Sequence, residues 1–133
     1  MRKLFFALVA VFFITNSFAQ TEIPYAPQSV SEPQTGAIYK LFPTKNMWTF
    51  LKLDTRNGRI WQIQFSVKDN AGNCEIPLSY SYLADIHNEK NGRFTLYPTE
   101  NIYNFILLDQ VDGRTWQVQW SEESRNRGIW QIK

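Results

Sequence analysis

Two aspartates in this sequence share one local context, 55 residues apart. Asp54 precedes Thr-Arg-Asn-Gly, and Asp109 precedes Gln-Val-Asp-Gly. A pair of carboxylates can perform general acid–base catalysis when their surroundings separate their pKa values. An aspartate before a glycine-ended loop also accepts backbone N–H bonds and so caps its own turn. Because the context is the same in both copies, we favour the capping role for each.

Other side chains that commonly perform chemistry are scarce. His87 is the only histidine and Cys74 the only cysteine, so no cluster with metal-ligand spacing exists. Cys74 and His87 could form a nucleophile and its base, but nothing near them resembles an oxyanion site. We expect Cys74 to be buried as a small apolar group. The sequence predicts that the protein is not an enzyme and uses no metal and no cofactor.

Four glutamines alternate with apolar residues in two related segments. They are Gln62, Gln64, Gln117 and Gln119. A period of two is typical of a strand with one buried face and one polar face. It predicts that Trp61 and Trp116 point inward while the amides meet solvent. An uncharged amide face suits a sugar or a polar protein surface, although a merely solvated sheet, or amides packed against the segment between the copies, would have the same pattern.

Two aromatic residues occupy equivalent positions just after Pro-Thr turns. Trp48 and Tyr103 would stand near strand ends, where they could stack on sugar rings or anchor a protein partner. The alternative is a role in the core. Arg59 and Arg114 follow the turn glycines, and we expect them to pair at the surface with the turn aspartates, a contact worth little.

The elements that position these residues are duplicated. Residues 41–66 return at 96–121 with a constant offset and no gap, which indicates one supersecondary unit used twice. Proline ends the first strand of each copy, and Asn-Gly or Asp-Gly closes a hairpin. The predicted strands are 37–42, 47–54, 59–67 and 74–78 in the first copy, and 93–97, 102–109, 114–121 and 129–132 in the second.

The predicted fold is all-β. It has two tandem antiparallel meander units of three to four strands, forming a pseudo-two-fold sandwich or barrel. Residues 36–133 make a single β domain of two repeats, 36–78 and 91–133. The segment 79–90 joins them and could hold a short helix around 82–87. The second strand of each copy is apolar on both faces and is expected to be central.

The amino terminus has the order of a secretory signal peptide over residues 1–19. Arg2 and Lys3 precede the uncharged apolar run 4–14, which is too short for a permanent membrane span. Small residues, Ser17 and Ala19, then precede a cleavage point. The sequence predicts a periplasmic or secreted protein with no membrane insertion after cleavage. The Pro-rich segment 20–35 is predicted to be a flexible arm.

Cleavage changes the charge balance of the protein. Without Arg2 and Lys3 the 14 basic residues become 12, equal to the 12 acidic ones. A neutral chain with interspersed signs does not offer the clustered cations that phosphate backbones require. We therefore do not expect nucleic acid to be a partner.

A resemblance accompanies these patterns. The second copy reads Gly-Arg-Phe-Thr-Leu-Tyr-Pro-Thr-Glu-Asn at 92–101, then Phe-Ile-Leu-Leu-Asp at 105–109 and Asp-Gly-Arg-Thr-Trp-Gln-Val-Gln-Trp at 112–120. This resembles small exported β-repeat proteins of Gram-negative bacteria, over 36–66 and 92–121. The resemblance implies export and a repeated β fold, and it carries over no catalytic residues.

Three functional hypotheses follow for the whole chain. The first is a non-enzymatic exported protein that binds another protein, for example a periplasmic immunity protein or an inhibitor of a toxin or hydrolase. The second is a carbohydrate-binding module that uses exposed aromatics and the glutamine-bearing strands. The third, which we favour least, is an enzyme of unrecognised type. Aromatics flanking an open groove would favour sugar, and a flat apolar patch would favour protein.

Overall fold

The structure, a computed structural model, describes residues 36–68 and 70–133. The predicted signal peptide (1–19) and N-terminal arm (20–35) lie outside the described residues. Within the described part of the chain, no helix has the length and apolar character needed to cross a membrane.

Within the described residues, eight strands form two four-stranded antiparallel sheets, one in each repeat, and within each sheet every strand pairs with the next along the chain. The first sheet contains β1 (Tyr39–Pro43), β2 (Thr49–Asp54), β3 (Ile60–Gln64) and β4 (Cys74–Pro77). The second contains β5 (Phe94–Pro98), β6 (Asn104–Asp109), β7 (Thr115–Gln119) and β8 (Gly128–Ile132). The predicted all-β fold of two meander units is confirmed, and β2 and β6 are interior strands as expected. The sheets do not close into a barrel.

Short 3-10 turns lie in the connections between several of the strands. They cover Asn70–Gly72, Ile86–Asn88 and Ser124–Asn126. The short helix suggested around 82–87 is thus a single turn that begins later, capped by Asp85, whose side chain accepts a bond from the His87 N–H. The third strands end at Gln64 and Gln119, earlier than the sequence predicted.

The hairpin between the second and third strands forms for the same reason in both copies. Gly58 and Gly113 have φ angles of 77° and 71°, a region that residues with a Cβ adopt only at a cost. The Gly58 N–H donates to the Asp54 carbonyl at 3.0 Å, and the equivalent bond from Gly113 to Asp109 measures 2.9 Å. Glycine at this point lets the chain reverse within five residues.

The turn before the second strand is also built twice. The Thr44 hydroxyl donates to the Thr49 carbonyl at 2.9 Å, and the Asn46 side chain accepts the Trp48 N–H at 2.8 Å. Thr99 and Asn101 repeat both bonds in the second copy. The Pro-Thr-x-Asn motif is therefore a turn that places one aromatic residue just before each second strand.

The strand register defines two faces on each sheet. We call one the aromatic face. It carries Tyr39, Leu41, Phe50, Lys52, Trp61 and Ile63 in repeat 1, and Phe94, Leu96, Phe105, Leu107, Trp116 and Val118 in repeat 2. We call the other the glutamine face. It carries Phe42, Leu51, Leu53, Ile60, Gln62 and Ile76 in repeat 1, and Tyr97, Ile106, Leu108, Thr115, Gln117 and Trp130 in repeat 2.

The two repeats bury opposite faces. Repeat 1 buries its glutamine face, where Leu51, Leu53 and Gln62 are 0% exposed. Repeat 2 buries its aromatic face, where Leu107 is 0% and Trp116 5% exposed. These residues belong to one apolar cluster, so the sandwich core joins the glutamine face of the first sheet to the aromatic face of the second. A two-fold axis would instead bring like faces together.

The expectation that Trp61 points inward while Gln62 and Gln64 meet solvent is wrong for repeat 1. Gln62 is fully buried, Gln64 is half-buried, and Trp61 lies on the outer side of its sheet. The same expectation is correct for Trp116 and Gln117 in repeat 2. The alternation shows that the two faces differ, but apolar residues on both sides of β2 allow either face to be buried.

Candidate binding surfaces

The Asp109 carboxylate organises a buried ionic network at the end of repeat 2. Arg93 contacts both of its oxygens at 3.0 and 2.9 Å, and Arg114 adds a bond at 3.0 Å. Burial raises the pKa of Asp109, but bonds from Arg93, from the backbone N–H groups of Val111 and Asp112 and from Arg114 outweigh it and lower the pKa to about 2. The network holds the hairpin in place and keeps the carboxylate ionised.

The Asp54 carboxylate has a related but different setting. Arg56 replaces the arginine pair, with contacts of 3.1 and 2.8 Å, and the Arg56 N–H donates at 3.0 Å. Burial raises the pKa of Asp54, and the side-chain and backbone bonds from Arg56 lower it by more. The capping role predicted for both aspartates is therefore present, and two carboxylates held in their charged form are poor proton donors at neutral pH.

The two arginines that follow the turn glycines behave differently from each other. Arg114 pairs with Asp109 and Asp112, as expected. Arg59 instead stacks over Trp61 and Tyr82, with its guanidinium carbon 4.8 and 5.1 Å from the ring centroids. Its side chain therefore covers one edge of the aromatic face of repeat 1.

Cys74 and His87 occupy separate settings. Cys74 is half-buried in β4, where its thiol donates to the Gln64 amide oxygen at 3.3 Å. His87 is exposed in the 3-10 turn of the connecting segment. Within residues 36–68 and 70–133, no three His, Cys, Asp or Glu side chains gather as a metal site.

The four glutamines do not form one surface. The Gln62 amide oxygen accepts the Ser121 N–H at 3.2 Å and so ties the two repeats together, while its nitrogen has no partner among the described residues. Gln117 is exposed on the outer face of repeat 2 and donates to the Asn104 side chain at 3.0 Å. Gln64 and Gln119 are half-buried. Gln117 is exposed and Gln119 lines a groove, so the two glutamines of repeat 2 are the ones placed to contact a ligand.

Trp48 and Tyr103 lie at the same end of the sandwich. They are 41% and 46% exposed, and the turns that carry them touch, because the Lys45 amine donates to the Glu100 carbonyl at 3.0 Å. Trp48 packs edge-on against Phe65 at 5.5 Å, and Tyr103 lies 5.1 Å from Trp120. Each ring therefore rests on a second aromatic and leaves its other side open.

A groove of about 600 Å³ runs beside Tyr103, between the two repeats. Repeat 1 contributes Lys45 and Asn46 to its wall. Repeat 2 contributes Tyr103, Gln119 and Glu122. The groove combines one aromatic surface with amide, carboxylate and ammonium groups.

The outer faces of the sandwich carry the larger apolar surfaces. On the aromatic face of repeat 1, Leu41 is 62% and Tyr39 54% exposed, and Trp61 and Ile63 are half-buried beside them. On the glutamine face of repeat 2, Tyr97 is 51% and Trp130 49% exposed. Exposed apolar side chains grouped on one face mark an interaction site more often than isolated exposed residues do.

The aromatic face of repeat 1 was not predicted as a site. Lys52 carried the signal, because the second copy has Leu107 at that position. The Lys52 amine lies 4.7 Å from the Trp61 ring and forms a salt bridge with Glu75. A lysine in the middle of an apolar row indicates a face that is not buried within the chain.

Comparison of the chain with protein-family models, with curated proteins and with solved structures found no match.

Proposed function

We propose that this chain is an exported, non-enzymatic binding protein whose ligand is another protein. A periplasmic immunity protein, or an inhibitor of a toxin or hydrolase, would act in this way. The observation that carries the proposal is the exposed aromatic face of repeat 1, an apolar surface on a regular sheet. Protein interfaces are enriched in aromatic residues and arginine, and this face has Tyr39 and Trp61, with Arg59 along one edge.

Rigidity supports the same proposal. The face lies on a four-stranded sheet, so little backbone order has to be acquired on binding and the entropic cost of association is reduced. The large rings also supply contact area at a low cost in side-chain entropy. The export that the proposal includes rests on the signal-peptide pattern of residues 1–19.

Affinity capture with matched variants tests the proposal. Leu41→Arg places a charge on the aromatic face. Tyr80→Arg places the same charge on an exposed residue of the connecting segment, where Tyr80 is 80% exposed and lies outside the cavity that Tyr39 and Trp61 line. A protein partner should be captured by the wild type and by Tyr80→Arg, and lost with Leu41→Arg. Capture that Leu41→Arg leaves intact would refute this surface as the binding site.

The groove beside Tyr103 favours a second candidate function, carbohydrate binding. An open aromatic ring next to amide and carboxylate groups can stack on a sugar and bond its hydroxyls. Glycan-array binding of the wild type, followed by calorimetry with Tyr103→Ala, tests this candidate. Trp48→Ala is the matched control, since Trp48 occupies the equivalent position outside the groove. Affinity should fall about tenfold with Tyr103→Ala alone.

A further inference from the structure

We propose that copies of this chain associate head to tail, the aromatic face of repeat 1 in one copy packing on the glutamine face of repeat 2 in the next. The inference rests on the proposed function, protein binding through the aromatic face, and names the partner as a second copy of the same chain. It also uses the glutamine face of repeat 2, which the proposed function does not.

The chain already contains one interface of this kind, between its own two repeats. Its core is formed by the glutamine face of repeat 1 and the aromatic face of repeat 2, which meet in one apolar cluster. The two faces left outside are the repeats' counterparts of these: the aromatic face of repeat 1 and the glutamine face of repeat 2. The two outer surfaces of the sandwich are therefore of the same two kinds as the surfaces that pack in its core, but they lie on opposite sides of the molecule and cannot meet within one chain.

The match extends to individual residues. On the aromatic face, apolar residues correspond in five pairs: Tyr39 with Phe94, Leu41 with Leu96, Phe50 with Phe105, Trp61 with Trp116, and Ile63 with Val118. On the glutamine face the corresponding pairs are Phe42 with Tyr97, Leu51 with Ile106, Leu53 with Leu108, Gln62 with Gln117, and Ile76 with Trp130. Most of the apolar residues that pack within the chain therefore have an apolar counterpart on an outer face.

The backbone at the internal interface can be copied as well. The Phe94 N–H donates to the Thr55 carbonyl at 2.8 Å and joins the first strand of repeat 2 to the hairpin of repeat 1. The equivalent atoms on the outer faces are the Tyr39 N–H and the Gln110 carbonyl. A head-to-tail contact would bring this donor and acceptor together between copies.

Such an interface is heterologous, so it generates a ring when the rotation between copies closes and a filament when it does not. Four-stranded meanders that stack face to back are the blades of propellers, which close with about four to eight blades. Because each copy supplies two sheets, roughly two to four copies would meet that number. We infer a closed ring of this size.

Several differences weaken the contact relative to the internal one. Glu75 and Thr115 stand where the internal interface has Ile129 and Ile60. Lys52 stands where the internal interface has Leu107, and its salt bridge with Glu75 would have to be desolvated or displaced. The Ser66 N–H, the counterpart of the Ser121 N–H that bonds Gln62, already donates to the Asn73 side chain at 2.8 Å. The assembly should therefore be reversible and concentration-dependent, unlike the packing of the repeats within one chain.

Sedimentation velocity of the full-length expressed chain, from low micromolar to submillimolar concentration, provides the test. The wild type should shift with concentration to one discrete multiple of its mass. Leu41→Arg should block the aromatic face of repeat 1, and Tyr97→Arg the glutamine face of repeat 2, so each variant should remain monomeric. Tyr80→Arg, outside both faces, should assemble as the wild type does. Circular dichroism confirms that the variants are folded.

Mixing the two blocked variants separates a head-to-tail contact from a symmetric one. Leu41→Arg retains the face that Tyr97→Arg lacks, so an equimolar mixture should form a dimer with one copy of each. Lys52→Leu combined with Glu75→Ile should tighten self-association about tenfold, because the two changes replace a salt bridge by the apolar counterparts found at the internal interface, Leu107 and Ile129. A dimer in which one face packs on the same face of its partner would be broken by only one of the blocking variants and would not be restored by mixing.

A monomeric wild type, assembly that survives either blocking variant, or a mixture that stays monomeric would each overturn the inference. None of these results decides the proposed function, which the capture experiment tests separately. A monomeric chain whose aromatic face captures another protein would retain the proposed function and refute self-association. A chain that assembles head to tail and captures no other protein through that face would retain the inference and remove the immunity or inhibitor role.

Discussion

Truncating equivalent residues of the two repeats should cost more stability in repeat 2 on the aromatic face, and more in repeat 1 on the glutamine face. Trp116→Ala and Trp61→Ala remove the same side chain from the same strand position, but Trp116 is 5% exposed and Trp61 lies on the outer face. Leu51→Ala and Ile106→Ala form the reverse pair, because Leu51 is 0% exposed and Ile106 is half-buried on the outside. The pairs isolate burial from residue type and position.

The expected magnitudes follow from that burial. Loss of the buried Trp116 ring should cost about 3–5 kcal/mol, and loss of the buried Leu51 side chain about 2–5 kcal/mol. Trp61→Ala should cost about 1 kcal/mol, chiefly the cation–π contacts of Lys52 and Arg59 with its ring. Ile106→Ala should also cost about 1 kcal/mol, because its surroundings are already partly solvated.

Urea unfolding measures these free energies, at a protein concentration low enough to keep the chain monomeric. With an m-value of about 1–2 kcal/mol per molar urea, a difference of about 2 kcal/mol within each pair separates the two midpoints by roughly 1–2 M. Trp116→Phe serves if the alanine variant does not fold. Equal costs within the pairs, or the larger cost in the same repeat for both pairs, would refute the face-to-back packing.

Two further predictions concern the hairpins. The pKa of Asp109 is about 2 in the folded chain against about 3.9 when unfolded. Because folding lowers the pKa, the carboxylate adds about 2 kcal/mol of stability above about pH 4, and this stability is lost as the pH falls toward 2. The Asp109 side-chain carboxyl, followed by carbon NMR, should titrate near pH 2. A titration midpoint near pH 4 would contradict the ionic network. Gly58→Ala should lower stability by about 1–3 kcal/mol more than Gly113→Ala. Both glycines have positive φ, but a Cβ at Gly58 would lie 3.0 Å from Leu83 and 3.1 Å from Phe94, whereas a Cβ at Gly113 would have no atom within 4 Å. Equal thermal midpoints for the two variants would contradict the close packing at Gly58.

Much of the fold could be predicted from local signals, because those signals have local causes. Prolines 43 and 98 mark the ends of the first strands, since proline offers no N–H to a ladder. Gly58 and Gly113 mark hairpins through their positive φ. The capping roles of Asp54 and Asp109 follow from the turn residues around them. Each of these features depends on contacts within about ten residues, and a repeat doubles the evidence for it.

The buried face could not be predicted in the same way. Alternation in β3 and β7 shows that tryptophan and glutamine lie on opposite faces, but which face meets the other sheet depends on how the sheets stack. Residues such as Phe50 and Leu51 make both faces of β2 apolar, so hydrophobicity permits either answer. The amides do not decide it either, because Gln62 is buried when the Ser121 N–H satisfies its oxygen.

Duplication itself explains why unlike faces meet. When a sheet with two different faces is copied in tandem and the copies stack with the same orientation, the front of one must pack on the back of the next. The arrangement leaves one face of each kind outside, however many copies are added, unless the stack closes on itself. Lys52 on the outer aromatic face and Leu107 at the internal one show where the two copies have diverged under these different surroundings. A charged residue adds solubility to an open face, and the apolar residues kept around it are those that a neighbouring sheet would contact.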